Sequence, residues 1–395
     1  MASLLSSLKI LDFSTLLPGP FATMMLADMG AEVVRVESPD RPDMVRLLPP
    51  YDGDISAWHA VLNRNKRSLA LDLKRPQAID VVKRLVGQGG FDIAIEQFRP
   101  GVMDRLGIGY EALRATNPSV IYCAITSYGQ TGPYRNRAGH DSNFLALSGI
   151  LSYSGRKESG PPPIGIQVAD IGGGSFGAIV GLLAAVIYRQ ATGEGQLVDI
   201  SMFDLMVAWQ SHIAGHVLIA GELPAPEAMA LNGGRVYDYY RTQDGRWLSV
   251  AGLEPKFWEG FCAAIGRPDL LHDGLSLEPA VQSRVKSEVA AVLVSRSLAA
   301  WMEVFTRLDV CVEPVLTLPE MLAHPQTQAR GLIVDVPKPD GSFQRQVGQG
   351  IKFSAGQSDY QQIGPKLGAD TDAVLTAAGY TATEIESMRT EQVFG

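Results

Sequence analysis

The stretch from Leu8 to Glu37 constrains the fold more than any other. Leu8 to Phe13 (LKILDF) has the length and near-continuous apolar character of a buried strand. Pro18-Gly19-Pro20 then makes a turn. Apolar residues recur at helical spacing from Phe21 to Met29, and Gly30 is placed to close that helix. Ala31 to Glu37 (AEVVRVE) reads as the next strand. A strand–helix–strand unit of this kind implies a parallel, doubly wound α/β sheet.

The pattern recurs. Ser68 to Leu73, Asp92 to Glu96 and Val120 to Ile125 are strand-like; Pro76 to Gly87 and Tyr110 to Ala115 are helical, and Asn117-Pro118 marks a break. Ile164 to Ala169 reads as a further apolar strand. It runs into Asp170-Ile171-Gly172-Gly173-Gly174, which opens a long apolar helix through Tyr188. Thr192 to Gly195 ends that helix and Val198 to Met202 resumes a strand. Gly221 to Ala230, rich in Pro and Ala, reads as a linker. Beyond it, Tyr237 to Arg241 and Trp247 to Ala251 flank Gln243-Asp244-Gly245 as a hairpin. The expected organisation is a large Rossmann-like domain over 1–220, a smaller α+β domain over 225–325, and a segment 330–395, with a final helix near Ala382 to Glu391, that returns to the large domain.

Several function classes drop out. The turn after the first strand is not GxGxxG and the chain has no GxxxxGK[ST], which argues against NAD and ATP as main ligands. A net charge of −8 argues against nucleic acid. Cys123, Cys262 and Cys311 are too scattered for a disulfide framework or a structural zinc. The six histidines form no HExxH, and no metal is expected. The N-terminus lacks a signal-peptide pattern, and Ile179 to Ile187 is too short to span a bilayer. A cytoplasmic protein with no membrane partner is the expectation.

Three features can carry chemistry. Asp170 stands where a helix is expected to start, beside unpaired N–H groups and the positive end of the dipole, which would favour its ionised form. It is either an N-cap or a reactive carboxylate, and the glycines after it let a backbone or a ligand come close. Gly139-His140-Asp141 is either a surface dipeptide or an oriented general base. No GxSxG elbow accompanies it. Lys66, Arg67, Lys74, Arg99, Arg105, Arg135 and Arg137 fall near expected strand ends, either as a solvated surface or as a rim suited to a polyphosphate.

In order along the chain, LDFSTLLPGPFATMMLADMGAEVVRVE, NKRSLALDLK, EQFRPGVMDRLG, SYGQTGPYRNRAGHDSNFLALSG, ADIGGGS, TGEGQLVDISM, GLEPKFW and CVEPVLTLPEM together resemble the class III CoA-transferase family, which includes formyl-CoA transferase and α-methylacyl-CoA racemase. The resemblance covers nearly the whole chain. It implies a Rossmann-like large domain built from both chain ends, a smaller inserted domain, and two ring-shaped chains interlocked as a homodimer. It also implies an acyl-CoA thioester as substrate, with no tightly bound cofactor. Asp170 would be the catalytic carboxylate. CoA contacts would fall on Leu71, Asp72, Leu73 and Lys74, on Gln97, Phe98, Arg99 and Arg105, and on Arg137, Ala138, Gly139 and His140. Many members carry a basic residue directly after the position of Glu37; here it is Ser38, and Arg41 is the candidate replacement.

The resemblance leaves two chemistries. In a transferase, Asp170 attacks the donor thioester, and the reaction passes through a mixed anhydride and an aspartyl-CoA thioester, with backbone N–H groups of the glycine run available to the oxyanions. In a racemase, His140 and Asp170 flank the α-carbon and Glu254 assists. Asn232-Gly233-Gly234-Arg235 separates them: racemases have a small apolar residue after those glycines, whereas an Arg would bind a second carboxylate. The expectation is therefore a CoA transferase acting on a small dicarboxylic acid such as itaconate or mesaconate, with succinyl-CoA as donor. The racemase is the alternative, and a non-catalytic acyl-CoA binding protein is the alternative of another class.

Overall fold

The computed structural model describes residues 3–394. Their packing separates two compact units. The first holds the chain up to Leu145, Gly165–Ala208 and everything from Pro325 onward; the second holds Ala146–Ile164 and Trp209–His324. Residues 146–164, which lie inside the first expected segment, thus group with the later part of the chain.

The first unit is built on six parallel strands: β1 (Lys9–Asp12), β2 (Glu32–Glu37), β3 (Arg67–Ala70), β4 (Ile93–Glu96), β5 (Ile121–Thr126) and β6 (Leu197–Ser201). Their order across the sheet is β3-β2-β1-β4-β5-β6, with Leu11 of β1 between Val34 of β2 and Ala94 of β4. The order reverses between β1 and β4, and a doubly wound sheet opens its ligand crevice at such a point, beyond the carboxyl ends of the strands. The helix Pro76–Gly87 shows how the sequence fixes this layer: proline stands at its start, and Ala78, Val81, Val82, Leu85 and Val86 make one buried stripe. That stripe meets Leu11, Val34 and Leu69 of the sheet together with Val374, Leu375, Ile385 and Met388 from the C-terminal helices. Each such side chain contributes about 1.5–3 kcal/mol by leaving water.

The run Ile164 to Ala169 is not a strand. It is irregular until Ala169, where a π-helix (Ala169–Phe176) begins and passes directly into an α-helix (Gly177–Thr192). Together they make a 24-residue helix long and apolar enough to cross a membrane, longer than the core run in the sequence indicated. Part of it is buried within the unit: Ala178, Ile179, Leu182, Ala185 and Val186 lie inside, and the helix packs on β5 and β6.

The second unit has a three-stranded antiparallel sheet, with β7 (Asp238–Arg241) and β8 (Trp247–Val250) forming the expected hairpin and β9 (Val312–Pro314) pairing with β8. Its core includes the stacked rings of Trp258, Phe261, Trp301 and Phe305.

Candidate active site

A cavity of about 150 Å³ opens at the reversal point of the sheet. Its walls come from the loops that leave the carboxyl ends of three strands: Leu16 and Pro18 after β1, Gln97 to Pro100 after β4, and Ile125 to Ser127 at the end of β5 with Arg135, Arg137, Gly139 and His140 beyond it. Asp170, Phe144 and Met202 complete it. The volume suits only a few atoms of a ligand, well short of the 300 Å³ or more typical of a whole small-molecule site. A longer ligand would put only its reacting end here.

Asp170 is not an N-cap. It is the second residue of the π-helix, a wider coil than the α-helix and one that recurs at functional sites. Its backbone is tied at both ends. The amides of Ala169 and Asp170 donate to one carboxylate oxygen of Asp141 at 2.6 and 3.0 Å. The Ser175 hydroxyl lies 2.7 Å from the Pro18 carbonyl and 3.3 Å from that of Asp170. The glycines behind Asp170 are filled by the protein itself: a Cβ on Gly174 would stand 2.7 Å from Pro18 Cβ, and one on Gly173 3.2 Å from the Met202 carbonyl. They let helices approach each other closely.

The electrostatics also differ from the sequence expectation. Burial is the main influence on the Asp170 carboxyl, and the neighbouring Asp141 charge adds to it. Together they outweigh His140 and raise the group to about 6. Among the described residues no cation pairs with Asp170. The helix start does not hold it in the low carboxylate range, because Asp141 already occupies the amides that would have done so.

His140 caps the helix Asp141–Leu147: its amide donates to Asn143 Oδ1 at 3.0 Å and its carbonyl accepts from the Asn143 amide at 2.8 Å. Its side chain is exposed to the cavity mouth. Tyr128 stiffens this wall, meeting Tyr134, Phe144 and Phe203 with ring centroids 5.4, 5.5 and 6.0 Å apart. Arg137 lies over the Tyr134 ring at 4.6 Å. Gln97 accepts the Gly19 amide at 2.9 Å, which locks the loop after β4 to the start of the helix Pro18–Asp28.

Of the expected CoA contacts, Gln97, Phe98, Arg99, Arg137, Gly139 and His140 line this cavity. Ala138 is exposed beside it, and Arg105 is exposed on the helix Val102–Leu106. Leu71, Asp72, Leu73 and Lys74 follow β3; Leu71 is fully buried in the core and its amide is taken by the Glu37 carbonyl, while Lys74 is exposed. Ser38 and Arg41 follow β2, with Arg41 exposed. Two of the basic residues do not belong to a rim. Lys66 is fully buried against Asp12 at 3.1 Å, and Arg67 pairs with Glu32 at the amino end of the sheet. Arg67 opens β3, the wrong strand end for a ligand, and Lys66 is sealed inside the unit, out of a ligand's reach. Arg235 and Glu254 are in the second unit. Glu254 is exposed at the start of the helix Pro255–Ala264; Arg235 is half-buried just before β7 and forms no ion pair among the described residues.

Sequence reasoning missed Leu16, Pro18, Phe144, Met202 and the role of Asp141. The PGP turn and the aspartate next to His140 were the available signals.

The profile of CoA-transferase family III matches residues 5–371. Alpha-methylacyl-CoA racemase of Homo sapiens is 34% identical over 98% of this chain and 97% of its own. Succinyl-CoA:glutarate CoA-transferase of Homo sapiens is 32% identical over 94% of this chain and 85% of its own. A CAIB/BAIF family protein from Brucella suis of known crystal structure superposes with a TM-score of 0.81 at 29% identity, covering 94% of this chain and 98% of that one.

Proposed function

The chain belongs to CoA-transferase family III, and from that premise we propose that it moves coenzyme A from succinyl-CoA to a small dicarboxylic acid. The observation that carries this reading is Asp170: a carboxylate that pairs with no cation among the described residues, lining a small cavity whose rim holds Arg99, Arg135 and Arg137. The rim arginines attract the phosphates of CoA and leave the thioester to enter the cavity. Asp170 is mostly ionised at pH 7 to 8, since its pKa is about 6. One oxygen attacks the thioester carbonyl, the C–S bond breaks, and a mixed anhydride and a CoA thiolate result. The thiolate then attacks the aspartyl carbonyl, releasing the donor acid and forming aspartyl-CoA. The acceptor carboxylate repeats the sequence in reverse and departs as its CoA thioester. Arg235 would hold the acceptor's second carboxylate, and among the described residues it forms no ion pair that would compete for that role.

Racemisation is the second reading, favoured by two titratable groups on one cavity and by a carboxyl raised toward neutrality, where proton transfer is most effective. Here His140 and Asp170 exchange the α-proton, and Glu254 assists. Incubating the protein with succinyl-CoA and glutarate, itaconate or mesaconate, with mass spectrometry of the CoA products, tests the first reading. A 2-methylacyl-CoA in D₂O tests the second. New acyl-CoA without deuterium uptake supports transfer; uptake without an acceptor supports racemisation and overturns transfer. In the transfer case His140→Ala only slows turnover, whereas in the racemase case it abolishes exchange. A protein that binds CoA and does neither is a carrier.

A homodimer belongs to the same proposal. Val180 and Ile187 of the helix Gly177–Thr192 are 68% and 67% exposed, and Leu218 and Ile219 of the helix Ser211–Ala220 are 83% and 89% exposed. Faces of this kind are normally covered by a second chain.

A further inference from the structure

Leu16 lines the cavity with Asp170 in a backbone conformation that a leucine rarely takes, with φ at 60°. Among the described residues, the other non-glycine residues with positive φ are Asn65, Glu227, Cys311 and Gln392, and none of them lines this cavity. Such a conformation persists only where the surroundings enforce it. Here the enforcing contact comes from the next crossover: the Leu16 amide donates to Asp43 Oδ2 at 2.9 Å. Asp43 is itself held from two sides. Its other oxygen accepts the Val45 amide at 3.2 Å, and Arg35 Nη2 donates to Oδ2. Arg35 is almost wholly buried in β2, beside Asp12 in the register with β1. Among the described residues its Nε and Nη1 have no hydrogen-bond partner, so the guanidinium is committed to Asp43, with Glu37 3.7 Å away.

We infer that Asp43, gripped by Arg35, is a positioning residue that holds Leu16 in its left-handed conformation and so shapes the cavity wall facing Asp170. This rests on the acyl-CoA reading of the cavity. The Asp43 carboxylate does not line the cavity; it acts through the Leu16 backbone. Leu16 belongs to the apolar part of the lining, with Pro18, Phe98, Pro100, Ile125, Phe144 and Met202, so a released Leu16 would disturb the site where the acyl group is placed rather than the arginine rim.

The test is a double-mutant cycle read on kcat and KM separately, with thermal unfolding alongside. Asp43→Ala is expected to lower kcat roughly 10- to 100-fold, the order expected of a displaced positioning contact, with CoA affinity changed far less. Asp43→Asn keeps an acceptor for the Leu16 amide and should restore most of that loss. In a Leu16→Gly background, where glycine takes positive φ unaided, Asp43→Ala should cost at most a few-fold. Additive losses in the cycle would overturn the inference. So would a lowered unfolding temperature with unchanged kcat. If Asp43→Ala fails to fold, hydrogen exchange at the Leu16 amide decides: protection in the wild type that Asp43→Asn retains supports the inference, and an unprotected wild-type amide, or protection lost in Asp43→Asn with kcat unchanged, overturns it. Absence of any acyl-CoA turnover by the wild type counts against the reaction instead, and the same exchange measurement then judges the positioning by itself.

Discussion

Asp12 and Asp170 belong to the same unit and carry the same functional group, yet their surroundings are opposite. Asp12 ends β1 and is wholly buried. Lys66 reaches it at 3.1 Å, Thr23 Oγ1 donates at 2.5 Å, and both the amide and the hydroxyl of Ser14 donate to it. Burial alone would raise its pKa, but Lys66, Arg35 and the two hydroxyls outweigh that and hold it below the usual range. Asp170 pairs with no cation among the described residues, and burial with the Asp141 charge outweighs His140 and pushes it up to about 6. The first carboxylate has its acceptor sites filled by the chain and cannot meet a ligand. The second keeps its own for whatever enters the cavity. Where the chain places the counter-charge is what separates an architectural carboxylate from a reactive one.

Removing each in turn breaks the comparison most sharply. Asp170→Asn should lower turnover by at least about 10³-fold, as loss of a covalent or proton-transferring group does, while calorimetry shows CoA affinity within a few-fold of wild type. Retained turnover would make Asp170 a bystander. For Asp12 the corresponding lesion is Lys66→Met, which strands a buried charge. It should destabilise the protein by about 3–5 kcal/mol in urea unfolding. A loss under 1 kcal/mol would mean that the hydroxyls alone sustain the carboxylate.

The same contrast explains what the sequence disclosed. The parallel sheet was legible because β1, β2, β4 and β5 are short apolar runs separated by helical spacing, and period is a backbone property. Asp170 and His140 were legible as residues but not as an environment. That environment depends on Asp141 reaching the amides of Ala169 and Asp170, a contact of one side chain across 28 positions. Lys66 looked like a rim cation because its burial against Asp12 spans 54 positions and leaves no local trace. Leu16 gave no signal at all, since nothing in Thr-Leu-Leu-Pro announces a positive φ.

Asp141 offers a finer probe. Asp141→Asn retains an oxygen for the two amides and removes the charge. The acidic limb of the pH–rate profile, expected near 6 in the wild type, should move to lower pH; an unmoved limb would assign it to another group. The stability counterpart has a definite sign. A carboxyl raised in the folded state binds its proton more tightly there than in the unfolded chain, so ionising it destabilises the fold. That penalty is absent below the unfolded value near 3.8, grows as pH rises through about 6, and is complete above. Asp170→Asn should therefore be more stable than wild type by about 1–2 kcal/mol at pH 8, discounted for partial exposure, and the two should converge by about pH 4.

The smallest effect belongs to the exposed cations. Arg99 and Arg135 line the cavity and form no ion pair among the described residues, unlike the buried Arg35 and Lys66. An exposed arginine contributes little until an anion arrives, so Arg99→Ala should leave urea stability within about 0.5 kcal/mol of wild type. Its effect should appear in binding, as a several-fold rise in KM for acyl-CoA that shrinks between about 50 mM and 500 mM salt, where screening shortens the reach of the charge. A salt-independent rise would point to the packing of its side chain instead. No rise at all would remove Arg99 from the path of the phosphates and leave Arg135 and Arg137 to carry it.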